Sequence, residues 1–205
     1  MNPAEESYTT AVNLCRENLS LVEKGFGVRR CDDLSILLLN RGSLRLNNGM
    51  PKEALEDLES ASVLRGMPDA VILQNLARAR EVNGYYAQSD RDYNLAISMT
   101  ANEVNPFWLR SALVKLQLGD IQAGFDLFKR INNRFPDAPE VKAAYAVFLT
   151  AKGDQTAGQQ KFLEIPDRAR EKFSQDEYLK KQISWPPKAV ETISKLAVAV
   201  GDRRS

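Results

Sequence analysis

The chain contains no histidine and only two cysteines. The first absence removes the usual general base at neutral pH and the commonest metal ligand. Cys15 and Cys31 form no C-x-x-C pair, so the usual zinc and thioredoxin-like patterns are excluded. They are either two ordinary thiols or a disulfide tying the first helix to the loop after it. Apolar runs, such as Ile36 to Leu39, fall far short of the about 20 residues of a membrane-spanning helix. There is no excess of either charge: Lys plus Arg number 28, Asp plus Glu 27, and the net charge is +1. Bulk attraction to nucleic acid or an anionic membrane is therefore not expected. No Gly-rich phosphate loop, metal-ligand cluster or nucleophile elbow is visible. Carboxylate pairs such as Glu53 and Glu56 cannot be told from ordinary surface charge. No catalytic residue, cofactor or metal is expected, and the chain does not read as an enzyme. The opening MNPAEESYTT is acidic and polar, unlike a signal or transit peptide.

What is present is enough apolar material for a real core: 43% of 205 residues. It recurs with a period. Gly49, Gly84, Gly119 and Gly153 are spaced 35, 35 and 34 residues apart. Seven residues before each stand Gly42, Ala77, Ala112 and Ala146, all small. Five after each stand Ala54, Ser89, Gly124 and Gly158, also small. Nine after each stand Leu58, Tyr93, Phe128 and Phe162, all large. The physical reading is a repeated antiparallel helix pair. The marker glycine ends the first helix in a left-handed conformation. Small residues let two backbones approach, and the large residue fills the space beyond. Pro51 suits a first helical turn and Asp120 a cap. Pro68, Pro136 and Pro166 fall near the joins between units.

The spacing resembles the tetratricopeptide repeat (TPR), a helix–turn–helix unit of 34 residues. That resemblance implies an all-α fold: a right-handed α-solenoid of about four TPR hairpins with capping helices at both ends. The expected layout is an N-terminal capping helix and loop over 1–34, four TPR units over 35–168, and C-terminal capping helices over 169–205. Ser7 is the expected N-cap of a helix over 7–24, and "GFGVRRCDD" (25–33) reads as a loop with Asp32 or Asp33 capping the next helix. "DRAREKFSQDEYLKKQI" reads as continuing helix, its charges and the final "DRRS" as solvated surface. "SWPPKAVETISKLAVAV" reads as a closing helix behind two prolines, with Trp185 a buried anchor or, as the alternative, a ligand-binding tryptophan. This Trp-Pro-Pro corner and closing helix, with Val190, Ile193 and Leu196, is similar to the ending of cyanobacterial and plastid TPR proteins. The N-R-G of Asn40, Arg41 and Gly42 also resembles helix openings in that group. The likeness implies a chloroplast setting, with thylakoid association and a photosystem or other photosynthetic complex as context. A cytoplasmic location is the alternative.

In such a solenoid the first helix of each hairpin lines the concave face. Asn40, Asn75 and Arg110, each two residues before a small packing position, are then expected to stack along the groove, with Arg78 close to Asn75. Asparagine offers a donor and an acceptor to peptide backbone; arginine can grip a carboxylate bidentately. The alternative for the asparagines is solvation or hydrogen bonding within the solenoid. Leu109 and Leu113 face the groove or pack against the neighbouring unit. The carboxylate clamp of chaperone-binding TPR domains is matched only at Asn75 and Arg110. Leu39, Ser43 and Pro106 stand where its other members belong, which argues against a chaperone tail as ligand. The expected function is a protein-binding scaffold or assembly factor recognising a partner segment through the groove, without nucleic acid or membrane insertion. The alternative is a permanent structural subunit of a larger complex.

Overall fold

The structure, a computed structural model, describes residues 2–26, 31–100 and 103–201. Among them there is no strand: the protein is all-α, its helices packing in adjacent pairs. It divides into two compact units, Met1–Tyr85 and Tyr86–Ser205. The division falls in the turn between the two helices of the second expected hairpin.

The first unit holds α1 (Pro3–Glu23), α2 (Leu34–Asn47), α3 (Pro51–Arg65) and α4 (Ala70–Val82). α1 starts earlier than expected. Pro3 occupies the first turn, where its missing N–H costs nothing, and the Asn2 side chain accepts from the Ala4 N–H at 3.0 Å. Ser7 is therefore inside the helix, its hydroxyl donating to the Pro3 carbonyl. Asp33 holds the N-cap position of α2 without a side-chain capping bond. Most of the glycine-arginine part of the expected loop, residues 27–30, lies outside the described residues. Cys15 and Cys31 are joined in a disulfide, with Cα atoms 5.5 Å apart, so neither is a free thiol. It sits in a small cluster with Val12, Leu34, Leu38, Ala61 and Ile72. A second small cluster gathers Leu46, Ala54, Leu58, Leu76 and Ala79.

The second unit holds α5 (Tyr86–Met99), α6 (Phe107–Leu118), α7 (Ile121–Arg134), α8 (Pro139–Ala151), α9 (Gln155–Leu163), α10 (Asp167–Phe173) and α11 (Pro187–Gly201). α6 pairs with α7 and α8 with α9. Its core is one large cluster centred on Phe128, whose ring lies 5.3 Å from Tyr145 and 5.2 Å from Phe148. The continuous helix expected after the fourth hairpin is broken. α10 stops at Phe173, and a π-helical turn over Tyr178–Gln182 follows. Within "DRAREK" only Arg170 departs from a solvated surface. It is buried, donating to the Leu163 and Ile165 carbonyls at 2.9 Å each and pairing with Asp167. It thereby satisfies carbonyls left open at the end of α9. The final "DRRS" lies outside the described residues.

The repeat phases map onto recurring local geometry. At each marker glycine the backbone turns left-handed, with φ between +74° and +96°. The same two hydrogen bonds close each end: Gly49 N–H to Leu46 and Met50 N–H to Arg45, Gly84 to Glu81 and Tyr85 to Arg80, Gly119 to Leu116 and Asp120 to Lys115, Gly153 to Thr150 and Asp154 to Leu149. This is the Schellman arrangement, which satisfies terminal carbonyls and is cheapest with glycine. All twelve small and large repeat positions are buried. Gly42 shows why one of them carries no side chain: a Cβ there would lie 2.7 Å from Leu58 Cγ and 3.2 Å from the Ala54 carbonyl oxygen. The α2 and α3 backbones approach too closely to admit it.

Candidate partner-binding faces

In the first unit, Asn40 and Asn47 stand on one face of α2 with Ile36 and Ser43; Asn75 and Arg78 stand on the corresponding face of α4 with Val71 and Val82. Helical spacing of three and four residues produces these stripes. They are cross-linked. Ser43 donates to Asn75 Oδ1 at 3.2 Å, and Arg78 donates to Asn47 Oδ1 at 3.0 Å. Asn75 Nδ2 turns back to the Val71 carbonyl at 2.8 Å. The internal hydrogen bonding raised as an alternative for Asn75 is thus present. Asn40 is exposed and makes no side-chain hydrogen bond among the described residues. At the starts of the two helices this face shows Ile36 and Val71, each about half exposed (52% and 51%). A shallow pocket lined by Ser35, Ile36, Leu39, Arg65, Asp69 and Ile72 opens at the starts of α2 and α4.

Behind this face lies a buried ionic network that the residue pattern did not announce. Arg41 grips Asp57 bidentately, at 2.8 Å from Nε and 2.6 Å from Nη2. Arg45 donates to Asp57 at 2.9 Å and to Glu5 at 3.1 Å, and Arg41 reaches Thr9 at 3.4 Å. Arg41, Asp57 and Glu5 are all buried. Two cations and two anions thus join α1, α2 and α3, each charge compensated where an isolated one would be prohibitive. The only hint in the sequence is that Arg41 and Asp57 adjoin the packing residues Gly42 and Leu58.

In the second unit the corresponding face of α6 carries Arg110, Leu113 and Gln117. It is covered. Arg110 donates to the carbonyls of Ile183 at 2.8 Å and Ser184 at 2.9 Å. Gln117 accepts from the Lys188 N–H at 2.8 Å. Leu109 and Leu113 are 6% and 1% exposed, in one cluster with Trp185, Val190, Ile193 and Leu196. Of the two alternatives for these leucines, packing inside the protein is the one observed, and they offer no surface to a partner while the covering segment is in place. Trp185 is a buried anchor; its indole N–H donates to Glu140 on α8 at 3.1 Å and its ring lies 6.0 Å from Phe173. The six expected groove residues are thus divided: exposed Asn40 with half-buried Asn75 and Arg78 on one face of the first unit, and Leu109, Arg110 and Leu113 on a covered face of the second.

Little here resembles a reaction centre. Asp126, Asp176 and Glu191 have carboxyls held below their ordinary range by hydrogen bonds from Lys129, Lys180 and Lys195, all on the open surface. The Tyr178 hydroxyl is pushed up by burial and by the nearby Glu140 charge. Among the described residues no group of acidic or cysteine side chains could hold a metal ion, and no helix is long and apolar enough to cross a membrane. Compared with known families and curated proteins, the chain matches no family model and no curated protein.

Proposed function

We propose that this chain is a TPR-type scaffold or assembly factor that binds a segment of a partner protein through the first-helix faces of its hairpins, in a photosynthetic, plastid setting. One observation carries the reading: the shared face of α2 and α4, where exposed Asn40 and half-buried Asn75 and Arg78 follow the exposed side chains of Ile36 and Val71 at the helix starts. Such a face offers main-chain hydrogen bonding in its middle and apolar contact at its edge, the combination that an extended or helical peptide needs. Four copies of one helix-ending geometry, with buried small and large residues in the same phase, support the TPR assignment. The Cys15–Cys31 disulfide favours an oxidising compartment over a reducing one, and so the lumenal over the stromal side of a plastid.

The test is capture of partners from the native source under mild detergent, with Asn40→Ala, Asn75→Ala and Arg78→Ala in parallel. A sub-stoichiometric partner lost with these substitutions supports groove recognition. A stoichiometric complex that survives all three supports the second reading, a permanent structural subunit. That reading is favoured by a different observation: Val63, Leu64 and Met67, at the end of α3 and just beyond it, are 50–79% exposed, apolar surface of the kind a constitutive interface buries.

A further inference from the structure

The covered face of the second unit displays how a peptide is held on it. Residues 183–201 reach it as a bent corner followed by a helix. Arg110 clasps two successive main-chain carbonyls, those of Ile183 and Ser184. Gln117, two turns further along α6, takes the Lys188 main-chain N–H. Among the described contacts of this segment to α6 and α8, those of Arg110 and Gln117 are to main chain, and that of Trp185 to Glu140 joins two side chains. α11 then lays Ala189, Val190, Ile193, Leu196 and Val200, at spacings of one to four residues, against α6, α8 and α9. A bent stretch held by its backbone, an aromatic anchor and an amphipathic helix in an apolar groove are means by which a segment can be captured.

The tether is the other half of the observation. Between α10 and the corner the chain leaves regular α-helix. Residues 174–177 are exposed, and the π-helical turn shows Lys180, Lys181 and Gln182 to solvent. Ser184, at the point Arg110 holds, has φ +49°, a left-handed conformation that is uncommon for a residue with a side chain. Hydrogen bonds from Arg110 to the carbonyls on either side of its N–H hold that bend in place.

We propose that residues 183–201 occupy a peptide-binding face in cis, and that a partner protein binds there by displacing them. The partner segment would present two adjacent carbonyls in a tight, left-handed bend, an aromatic–proline corner and an amphipathic helix with an apolar stripe. This rests on the reading of first-helix faces as binding surfaces. It differs in placing a second binding face under the chain's own C-terminal segment, where it is closed until competed for. A tethered occupant acts at an effective concentration in the millimolar range, so only a segment of matching chemistry displaces it.

The test uses the full chain with a specific protease site inserted between Gln175 and Asp176, and a fluorescent peptide spanning residues 182–201. After cleavage, the labelled peptide exchanges into the chain, read by anisotropy. Before cleavage it binds at least about a hundredfold more weakly, because the tethered segment competes. Arg110→Ala weakens the exchanged peptide at least about tenfold, the loss expected for two hydrogen bonds from a charged donor. Circular dichroism on each sample checks that the rest of the unit stays helical. Asn75→Ala, on the first unit, leaves exchange unchanged, so failure of groove recognition there and failure here are read separately. The proposal is overturned if the segment cannot leave without cooperative loss of helix, or if Arg110→Ala and the parent chain take up the peptide equally. Arg110→Lys, which keeps the charge but not the two-pronged geometry, gives an intermediate affinity if the carbonyl clasp is what holds the segment.

Discussion

The two units build the same helix pairs with different glue. In the first, the apolar clusters are small, and a buried four-charge network and a disulfide join α1, α2 and α3. In the second, a single large cluster with tilted and stacked aromatic rings does the work. Their first-helix faces differ in the same sense. Asn40, Ser43 and Asn47 on α2 are polar and open, whereas Arg110, Leu113 and Gln117 on α6 are partly apolar and covered by residues 183–201. A unit poor in buried apolar surface needs directional cross-links, and keeps a face free. A unit rich in apolar surface recruits another apolar segment to cover it.

That contrast is sharpest when each kind of glue is removed. Asp57→Ala leaves the Arg41 guanidinium buried and unpaired, and should cost about 3–5 kcal/mol. Phe128→Ala should cost a similar amount, about 3–5 kcal/mol, through cavity formation. The two differ in where the loss appears. Trp108 and Trp185 both lie in the second unit, so tryptophan fluorescence follows Phe128→Ala, while hydrogen exchange of α2 and α3 follows Asp57→Ala. Equal effects of either substitution on both readouts would mean that the units unfold as one.

Reduction of the disulfide is the next largest perturbation, and it acts on one unit alone. Closing a loop of this length is worth about 3 kcal/mol in the chain-entropy picture. A dithiol, or Cys15→Ser with Cys31→Ser, should lower the protection of α1 and α2 while the tryptophan-detected melt stays where it was. A fall in the tryptophan melt would break the separation.

Smaller still is overpacking at the repeat's small positions. Gly42→Ala places a methyl against Leu58 Cγ, and Ala77→Leu fills a fully buried site; each should cost about 1–3 kcal/mol. Thermal melts at parent values would show that these positions do not set the helix spacing.

The smallest effect is alkaline. Burial and the Glu140 charge raise the Tyr178 hydroxyl above its ordinary value of 10.0. The folded state therefore favours the protonated phenol. Its contribution is complete below the unfolded tyrosine pKa and is lost as pH rises through the higher folded one. Ultraviolet titration of the parent and Tyr178→Phe should show one late-ionising tyrosine missing from the variant, with a slight loosening of the 178–186 corner above about pH 10 in the parent alone.

Much of the local structure is legible in the residues because its causes are local. A glycine left-handed turn, an Asp120 cap and a proline start each depend on a few neighbours. The buried phases are legible because a packing constraint that repeats every hairpin leaves a repeated residue size. α1 is less so: Pro3 and Asn2 outcompeted Ser7 as a start, although both signals were in view. Of the candidate faces, spacing shows the stripes but not what lies against them. Asn40, Asn75 and Arg78 share one face, and Arg110 is engaged with carbonyls 73 and 74 residues away. The Arg41–Asp57 pair and the burial of Arg170 are likewise products of contact, not of spacing.

The sequence by itself determines the helix ends at the four marker glycines and which small and large repeat side chains are buried, since steric rules of a few residues, repeated in phase, suffice for these. Tertiary structure decided which first-helix face stays open. The apolar stripe of α11 has to be buried somewhere, and the face that best takes it is the one carrying Leu113 between Arg110 and Gln117, a choice made by long-range packing that no local pattern encodes.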